Sequence, residues 1–176
     1  MIQELEMIVD FLERHRINYC LAGGTAVVHY GAGRGTDDFD FFVAVETYEL
    51  GELLNLMIKE LPITEYVDSY KSLLKVFVNN QEVDIIPYIT KEELRALNKA
   101  RYINLDGIEC RMIRLEDLIL LKISISDTEE RHSDDVIMLC ESCCDIIDTE
   151  YLLDGIYNLG MERYKEYLEE LLGYKL

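Results

Sequence analysis

The sequence predicts an α+β fold, in which a mixed sheet flanked by helices is followed by a C-terminal helical region. Two observations support this. Short β-branched and aromatic runs alternate with helical periodicity in the front half, whereas only helical periodicity is found from Leu115 onward. The chain has 176 residues, 49% of them hydrophobic, which is enough for one domain with a buried core. We therefore expect a core over 1–114 and a helical region over 115–176 packed on it.

Hydrophobic periodicity and turn residues delimit the individual elements. Asn79-Asn80 and Asp106-Gly107 favour tight turns, so the strands around each should form antiparallel hairpins. Apolar residues on both faces of the strand at 38–45 predict a central position in the sheet. We predict strands at 17–22, 38–45, 73–78, 83–89, 102–105 and 108–113. We predict helices at 3–15, 25–30, 47–60, 91–99, 115–126, 133–147, 149–159 and 161–172.

The charge of the chain bears on its partners. It carries 17 basic and 35 acidic residues, a net charge of −18. Such a body repels phosphate backbones, so we expect no nucleic-acid partner. The stretch from Asp117 to Leu176 holds 15 acidic and 5 basic residues. It is either a solvated helical surface or an acidic wall that attracts a cationic acceptor or a basic partner protein. A homodimer is a further alternative.

Location follows from what the sequence lacks. It has no run of eighteen apolar residues, so we expect no membrane span. The acidic, amphipathic start lacks the basic and apolar parts of a secretory signal, which predicts a cytoplasmic protein. Five cysteines without a signal favour reduced thiols. Cys140, Cys143 and Cys144 resemble half a zinc site, but burial as small hydrophobic residues is the better interpretation.

Two aspartates are the first candidates for chemistry. Asp38 and Asp40 lie two residues apart on a predicted strand, so their side chains should share one face. Neighbouring buried carboxylates are costly unless a cation neutralises them, and oxygen ligands suit Mg²⁺. Asp37 should point to the opposite face and is interpreted as a turn residue. A third acid, Asp84, can complete a site for two metal ions. Alternatively, Asp84 is a surface acid on an edge strand.

Glycines indicate where phosphates would bind. Gly23 and Gly24 follow a strand and open a helix, where the backbone can approach a phosphate closely and the N–H groups are free. Thr25 can cap that helix and add a hydroxyl contact. Arg34, just before the acids, can pair with a phosphate through its guanidinium.

These residues resemble the nucleotidyltransferase superfamily with the DNA polymerase beta type fold. Its pattern is an apolar residue, Gly, Gly or Ser, a spacer, Asp-apolar-Asp and a later acid. Here Ala22-Gly23-Gly24 is followed by thirteen residues, and then by Asp38-Phe39-Asp40. Val83-Asp84-Ile85 matches the later acid.

A narrower resemblance is to the small prokaryotic branch related to abortive-infection nucleotidyltransferase toxins. Gly-Gly-Thr-Ala at 23–26 and Arg-x-Thr-x-Asp at 34–38 match that branch, as does a helix that carries Lys122. The segment 131–136 resembles its Arg and Asp helix less closely. Among apolar neighbours, Lys122 either extends to solvent or contacts an anion.

The resemblance implies that 1–114 is the catalytic core and that its acids bind metal, Asp38 and Asp40 both ions and Asp84 one. It also implies a nucleotide-binding set of Gly23, Gly24, Thr25, Arg34, Thr36 and Lys122. We therefore expect transfer of NMP from an NTP, with ATP favoured, to a hydroxyl of a small molecule or protein. Two Mg²⁺ ions are expected, with Mn²⁺ as the alternative. The rival hypothesis is a non-catalytic binding or toxin–antitoxin module, although this chain keeps all three acids.

Overall fold

The computed structural model describes residues 2–31, 35–45, 49–68, 73–88, 90–126, 130–173 and 176. Within these residues the chain forms one seven-stranded sheet and eight α-helices. The elements are α1 (Ile2–Arg14), β1 (Tyr19–Leu21), α2 (Gly23–His29), β2 (Asp38–Val43), α3 (Leu50–Glu60), β3 (Ile63–Asp68), β4 (Leu74–Val78), β5 (Gln81–Pro87), α4 (Lys91–Lys99), β6 (Arg101–Leu105), β7 (Ile108–Met112), α5 (Leu115–Ser124), α6 (Glu130–Cys143), α7 (Thr149–Leu159) and α8 (Lys165–Leu172), with a 3₁₀ turn at Glu162–Tyr164. The predicted α+β fold is confirmed.

The sheet is mixed, with the strand order β3-β4-β5-β2-β1-β7-β6. Strand β2 runs parallel to β5 and antiparallel to β1. Its predicted central position is therefore confirmed. Both predicted hairpins are also present, since β4 pairs antiparallel with β5 and β6 pairs antiparallel with β7. Asn79, Asn80 and Asp106 adopt positive φ at these turns, as tight hairpins require.

One strand was not predicted from the sequence. β3 pairs antiparallel with β4 at the edge of the sheet. Its side chains do not alternate between core and solvent, since Tyr66 and Val67 are both about half exposed. Because an edge strand is held by backbone pairing with its neighbour, its sequence need not show the buried period of two.

The core is continuous from the sheet into the C-terminal helices. Buried residues such as Phe41 on β2, Ile119 on α5 and Leu139 on α6 belong to one hydrophobic cluster. Helix α5 is buried nearly all round and packs against α2, α4, α6 and α7. A division of the chain at residue 114 stays a prediction. No described helix is long and apolar enough to cross a membrane.

The cysteines fit the interpretation as small buried residues. Cys140 and Cys143 lie on α6 as buried free thiols, and Cys144 is half-buried. The Cys143 thiol donates to the Tyr30 carbonyl oxygen, 2.8 Å away.

Candidate functional site

Three carboxylates converge on one face of the sheet. Asp38 and Asp40 are half-buried on β2. The alternate residues Phe39 and Phe41 point into the core. The expectation that the two acids share a face is confirmed. In the parallel pairing of β2 with β5, Asp40 lies directly beside Asp84. Since β5 has a partner on each side, the alternative that places Asp84 on an edge strand is wrong.

The Gly23-Gly24 turn lies against Asp40. Gly23 has φ +51°, and a Cβ there would overlap the Asp40 carboxylate. Only a residue without a side chain allows this approach. The backbone N–H of Gly24 donates to Asp40 Oδ2 at 3.2 Å. The start of α2 and the acidic strand therefore form one unit, as the motif spacing suggested.

The electrostatics of the carboxylates explain why a cation would be bound. Burial raises the pKa of Asp40 above its ordinary value, and the nearby Asp38 and Asp84 charges raise it further. The Gly24 N–H and the Lys122 ammonium offset part of this effect. Burial also raises the pKa of Asp84, with Lys75 acting against it and Asp38 adding to it. Excess negative charge is thus concentrated where the three acids meet.

The donor set fits a hard divalent cation. Asp84 Oδ1 is buried and makes no hydrogen bond among the described residues, and carboxylate oxygens are the ligands that Mg²⁺ prefers. No group of three or more His, Cys, Asp or Glu side chains in the described ranges is arranged to hold a metal ion. A metal at these carboxylates would therefore need water and substrate oxygens to complete its coordination, which is how Mg²⁺ is usually held.

Two threonines support β2. The helix α2 begins at Gly23, so the prediction that Thr25 caps it is wrong. The Thr25 hydroxyl instead donates to the Asp38 carbonyl oxygen at 3.1 Å. The Thr36 hydroxyl donates to Asp38 Oδ1 at 2.7 Å and orients that carboxylate. Contact of either threonine with a triphosphate stays a prediction.

Helices α5 and α6 supply the cationic wall of the cavity over the acids. Lys122 lines it and is only 5% exposed, so the alternative that it extends to solvent is wrong. Its ammonium lies 2.8 Å from Asp135 Oδ2, a fully buried carboxylate on α6. It also lies 3.4 Å from His132 Nδ1. Arg131 borders the same cavity, which brings two cations into the cavity that the three acids also line.

Helix α4 adds a fourth acid to the cavity. Glu93 lines it and is fixed by a capping box with Thr90. The Glu93 carboxylate accepts from the Thr90 N–H at 2.8 Å, and the Glu93 N–H donates to Thr90 Oγ1 at 3.2 Å. The Thr-x-x-Glu pattern is visible in the sequence, but it marks the start of a helix and does not reveal that this start faces the site.

A protein family matches nearly the whole chain. Its description reads "nucleotidyl transferase of unknown function (DUF2204)", and it covers residues 1–171. The chain belongs to this nucleotidyltransferase family. A search of curated proteins finds no match.

Solved structures agree on the fold of this nucleotidyltransferase. The lincomycin-bound lincosamide antibiotic adenylyltransferase LnuA is 18% identical with a TM-score of 0.54, over 79% of this chain and 96% of its own. An antigenic nucleotidyltransferase-like protein from Paracoccidioides brasiliensis is 16% identical with a TM-score of 0.59, over 99% of this chain and 94% of its own. ANT(2")-Ia in complex with adenylyl-2"-tobramycin is 16% identical with a TM-score of 0.55, over 93% of this chain and 99% of its own.

These comparisons confirm the superfamily that the sequence resembled. The narrower likeness to abortive-infection toxins stays a prediction. Of the expected nucleotide-binding residues, Gly23, Gly24, Thr36 and Lys122 border one cavity with the three acids. Arg34 lies outside the described residues.

One neighbour of the acids was missed in the sequence. Lys75 on β4 lies beside Asp84, and it is a single charged residue in a strand of ordinary pattern, so no spacing in the sequence connects it with the acids. Asp135 on α6 lies in the segment 131–136 that resembled the family's Arg and Asp helix, but its pairing with Lys122 was not predicted.

Proposed function

We propose that this nucleotidyltransferase is Mg²⁺-dependent and transfers NMP, with ATP as the favoured donor, to a hydroxyl group of a small cationic molecule. The observation that carries the proposal is the register of β2 and β5, which sets Asp40 beside Asp84 with Asp38 on the same face. This carboxylate set borders one cavity together with two cationic side chains. The acids suit metal ions, and the cations suit the phosphates of a nucleotide.

The chemistry is an in-line displacement. The acceptor hydroxyl oxygen forms a bond to the α-phosphorus of the NTP, the bond from that phosphorus to the bridging oxygen breaks, and pyrophosphate leaves. Bound Mg²⁺, held by Asp38, Asp40 and Asp84, would neutralise the triphosphate and make the acceptor hydroxyl more acidic. Asp84 would accept a hydrogen bond from that hydroxyl, and the hydroxyl proton passes to solvent.

The remaining residues position the nucleotide. Gly23 and Gly24 line the cavity at the start of α2, where the triphosphate would lie. Lys122 and Arg131 would balance the charge that develops on the leaving pyrophosphate. Because Lys122 is already paired with Asp135 inside the protein, its ammonium is held in place before the substrate arrives.

Charge supports a cationic acceptor. Glu93 lines the cavity in addition to the three aspartates, and the chain carries a net charge of −18. Lincomycin and a tobramycin derivative are bound by two of the similar structures, and both structures concern adenylyl transfer to an antibiotic. A hydroxyl-bearing amine is therefore the acceptor class favoured here, ahead of a hydroxyl side chain of a protein.

The test is transfer of labelled NMP with a matched pair of variants. The protein is incubated with each of the four α-labelled NTPs, Mg²⁺ and a panel of amino sugars and other hydroxyl-bearing amines. Asp38→Asn should reduce transfer by at least about a hundredfold, because it removes a carboxylate at the metals. Asp37→Asn changes the adjacent exposed carboxylate and should retain near wild-type transfer.

The negative outcomes are distinct. If no NTP binds in the presence of Mg²⁺, as measured by calorimetry, the proposal is wrong. Native and denatured protein preparations are also offered as acceptors. If NTPs bind but none of the small molecules or proteins is modified, the non-catalytic binding module becomes the better interpretation.

A further inference from the structure

A row of three charged residues crosses the sheet at the site. Asp40 on β2 is paired in register with Asp84 on β5, and Asp84 is paired in register with Lys75 on β4. Residues directly opposite on adjacent strands have side chains on the same face, close enough to interact. The row therefore places one cation next to the acids, on the side of Asp84 away from Asp40.

Lys75 has two carboxylate partners on β5. Its ammonium lies 3.2 Å from Asp84 Oδ1 and also contacts the Glu82 carboxylate. Glu82 and Asp84 are two residues apart on one strand, so they present their carboxylates to the same face. The Lys75 and Glu82 side chains are 27% and 34% exposed, whereas Asp84 is 14% exposed. The lysine can therefore remain paired with Glu82 if it moves away from Asp84.

The contact between Lys75 and Asp84 is incomplete. The ammonium lies 3.2 Å from Asp84 Oδ1 and offsets part of the rise that burial causes in the pKa of that carboxyl, but it is too poorly aligned to satisfy the oxygen, and no other described residue donates to it. A buried carboxylate oxygen without a hydrogen bond is costly. Lys75 thus neutralises part of the charge of Asp84 and leaves a lone pair on this oxygen for another ligand.

We propose that Lys75 and Glu82 form a counter-ion exchange pair for Asp84. In the metal-free protein the ammonium balances Asp84, and when a divalent cation is bound at Asp84 the ammonium is held by Glu82. This inference rests on the proposed function, because that function places a metal at Asp84. Lys75 is then a positioning residue that lowers the affinity of Asp84 for metal.

The test measures binding of Mn²⁺ as a probe ion, by electron paramagnetic resonance of the free ion, with the full-length protein and no nucleotide. Lys75→Met should bind Mn²⁺ about fivefold more tightly, because no ammonium competes for Asp84. Glu82→Gln should bind it about threefold more weakly, because Lys75 then has Asp84 as its remaining β5 partner. Circular dichroism checks the fold, and Lys75→Gln replaces Lys75→Met if the latter does not fold.

Two further variants separate exchange from a general effect of charge. In the double variant of Lys75→Met and Glu82→Gln, the second change should have no effect, because Glu82 acts through Lys75. A simple long-range effect of the Glu82 charge would persist in that background. In an Asp84→Asn background, Lys75→Met should leave Mn²⁺ affinity unchanged.

The outcomes distinguish this inference from the function on which it rests. If wild type binds Mn²⁺ and Lys75→Met binds it equally well, or if Glu82→Gln weakens binding equally with and without Lys75, the exchange pair is refuted and the proposed function stands. If neither wild type nor any variant binds Mn²⁺ without nucleotide, the exchange pair is refuted, whereas the proposed function fails only if no NTP binds in the presence of Mg²⁺.

Discussion

At the scale of single residues, Asp40 is where the constraints of the site meet. Its carboxylate accepts the Gly24 N–H, lies against Gly23, and is paired across the strands with Asp84. These contacts fix the position of the carboxylate, but they do not remove the cost of holding its charge beside two others. The site is therefore organised around a charge that the metal-free protein accommodates poorly.

Asp40→Asn should stabilise the metal-free protein at neutral pH. Burial and the neighbouring carboxylates raise the pKa of Asp40 in the folded state, so its ionised form opposes folding above that pKa. Asparagine keeps an acceptor for the Gly24 N–H without the charge. We expect the melting temperature at pH 7 to rise by roughly 2–4 °C, the change that about 1 kcal/mol produces in a domain of this size.

The pH dependence provides the check on that cause. Below the ordinary pKa of 3.8, Asp40 is protonated in both the folded and the unfolded chain, so the advantage of the variant should vanish there. It should grow as the pH rises from that value through the folded-state pKa, and then remain constant. Added Mg²⁺ should raise the melting temperature of wild type more than that of Asp40→Asn. A stability difference that is independent of pH would contradict this explanation.

Gly23→Ala should displace the Asp40 carboxylate. The added methyl group would overlap that carboxylate, at a residue whose φ of +51° already disfavours a side chain. We expect loss of at least about a hundredfold in NMP transfer, since misplacement by about 1 Å has effects of this order. The measurement is the kcat of transfer at saturating Mg²⁺.

Gly31→Ala is the matched control for Gly23→Ala. Gly31 also has positive φ, but a Cβ there meets no atom within 4 Å among the described residues. It should share the conformational strain, at a cost of about 1 kcal/mol, and keep near wild-type transfer. Equal loss of activity in both variants would show that backbone strain, and not contact with Asp40, is responsible.

At the scale of elements, a buried polar network holds α4, α5 and α7 together. Arg95 on α4 donates to Asp117 Oδ1 on α5 at 2.7 Å, and the Tyr151 hydroxyl on α7 donates to Asp117 Oδ2 at 2.8 Å. The guanidinium carbons of Arg114 and Arg95 lie 3.6 and 4.3 Å from the Tyr151 ring centroid. This network fixes α4, the helix that carries Glu93 into the cavity.

Removing Arg95 should destabilise the fold strongly. Asp117 is 1% exposed, and burial raises its pKa while Arg95 and Tyr151 act against that. Arg95→Met leaves this carboxylate without its main counter-charge, which costs about 3–5 kcal/mol. Tyr151→Phe removes one hydrogen bond to it and should cost about 1–2 kcal/mol. Urea denaturation followed by circular dichroism measures both.

Arg14→Met is the control for the network. Arg14 pairs with Glu60 at 2.9 Å, but that arginine side chain is 60% exposed. Exposed pairs contribute little to stability, so this variant should unfold at nearly the same urea concentration as wild type. If Arg95→Met behaves in the same way, the network does not hold the three helices together.

At the scale of the whole molecule, the sheet and the C-terminal helices share one hydrophobic core. The site lies between them, with acids on β2 and β5 and cations on α5 and α6. Opposite charges thus come from different parts of the chain, and the fold brings them to one cavity. Lys122 illustrates the consequence, since its buried charge is tolerated because Asp135 on the next helix balances it.

The sequence by itself determined the acidic strand and its glycine turn. The alternation in Asp38-Phe39-Asp40 placed both acids on one face, and Gly23-Gly24 marked the turn before a helix, because these patterns are local consequences of strand pleat and backbone freedom. The hairpins at Asn79-Asn80 and Asp106-Gly107 could also be predicted, because each depends on its own turn residues. Asp84 was proposed as the third acid from the sequence, and the later acid of a known superfamily pattern matched it.

Only the tertiary structure decided which residues stand beside those acids. The alignment of Asp40, Asp84 and Lys75 depends on the order and register of three strands. The pairing of Lys122 with Asp135 depends on how α6 packs on α5. The edge strand β3 likewise owes its conformation to pairing with β4. Each of these is set by contacts between segments distant in the chain, whose free energy no local pattern of residues contains.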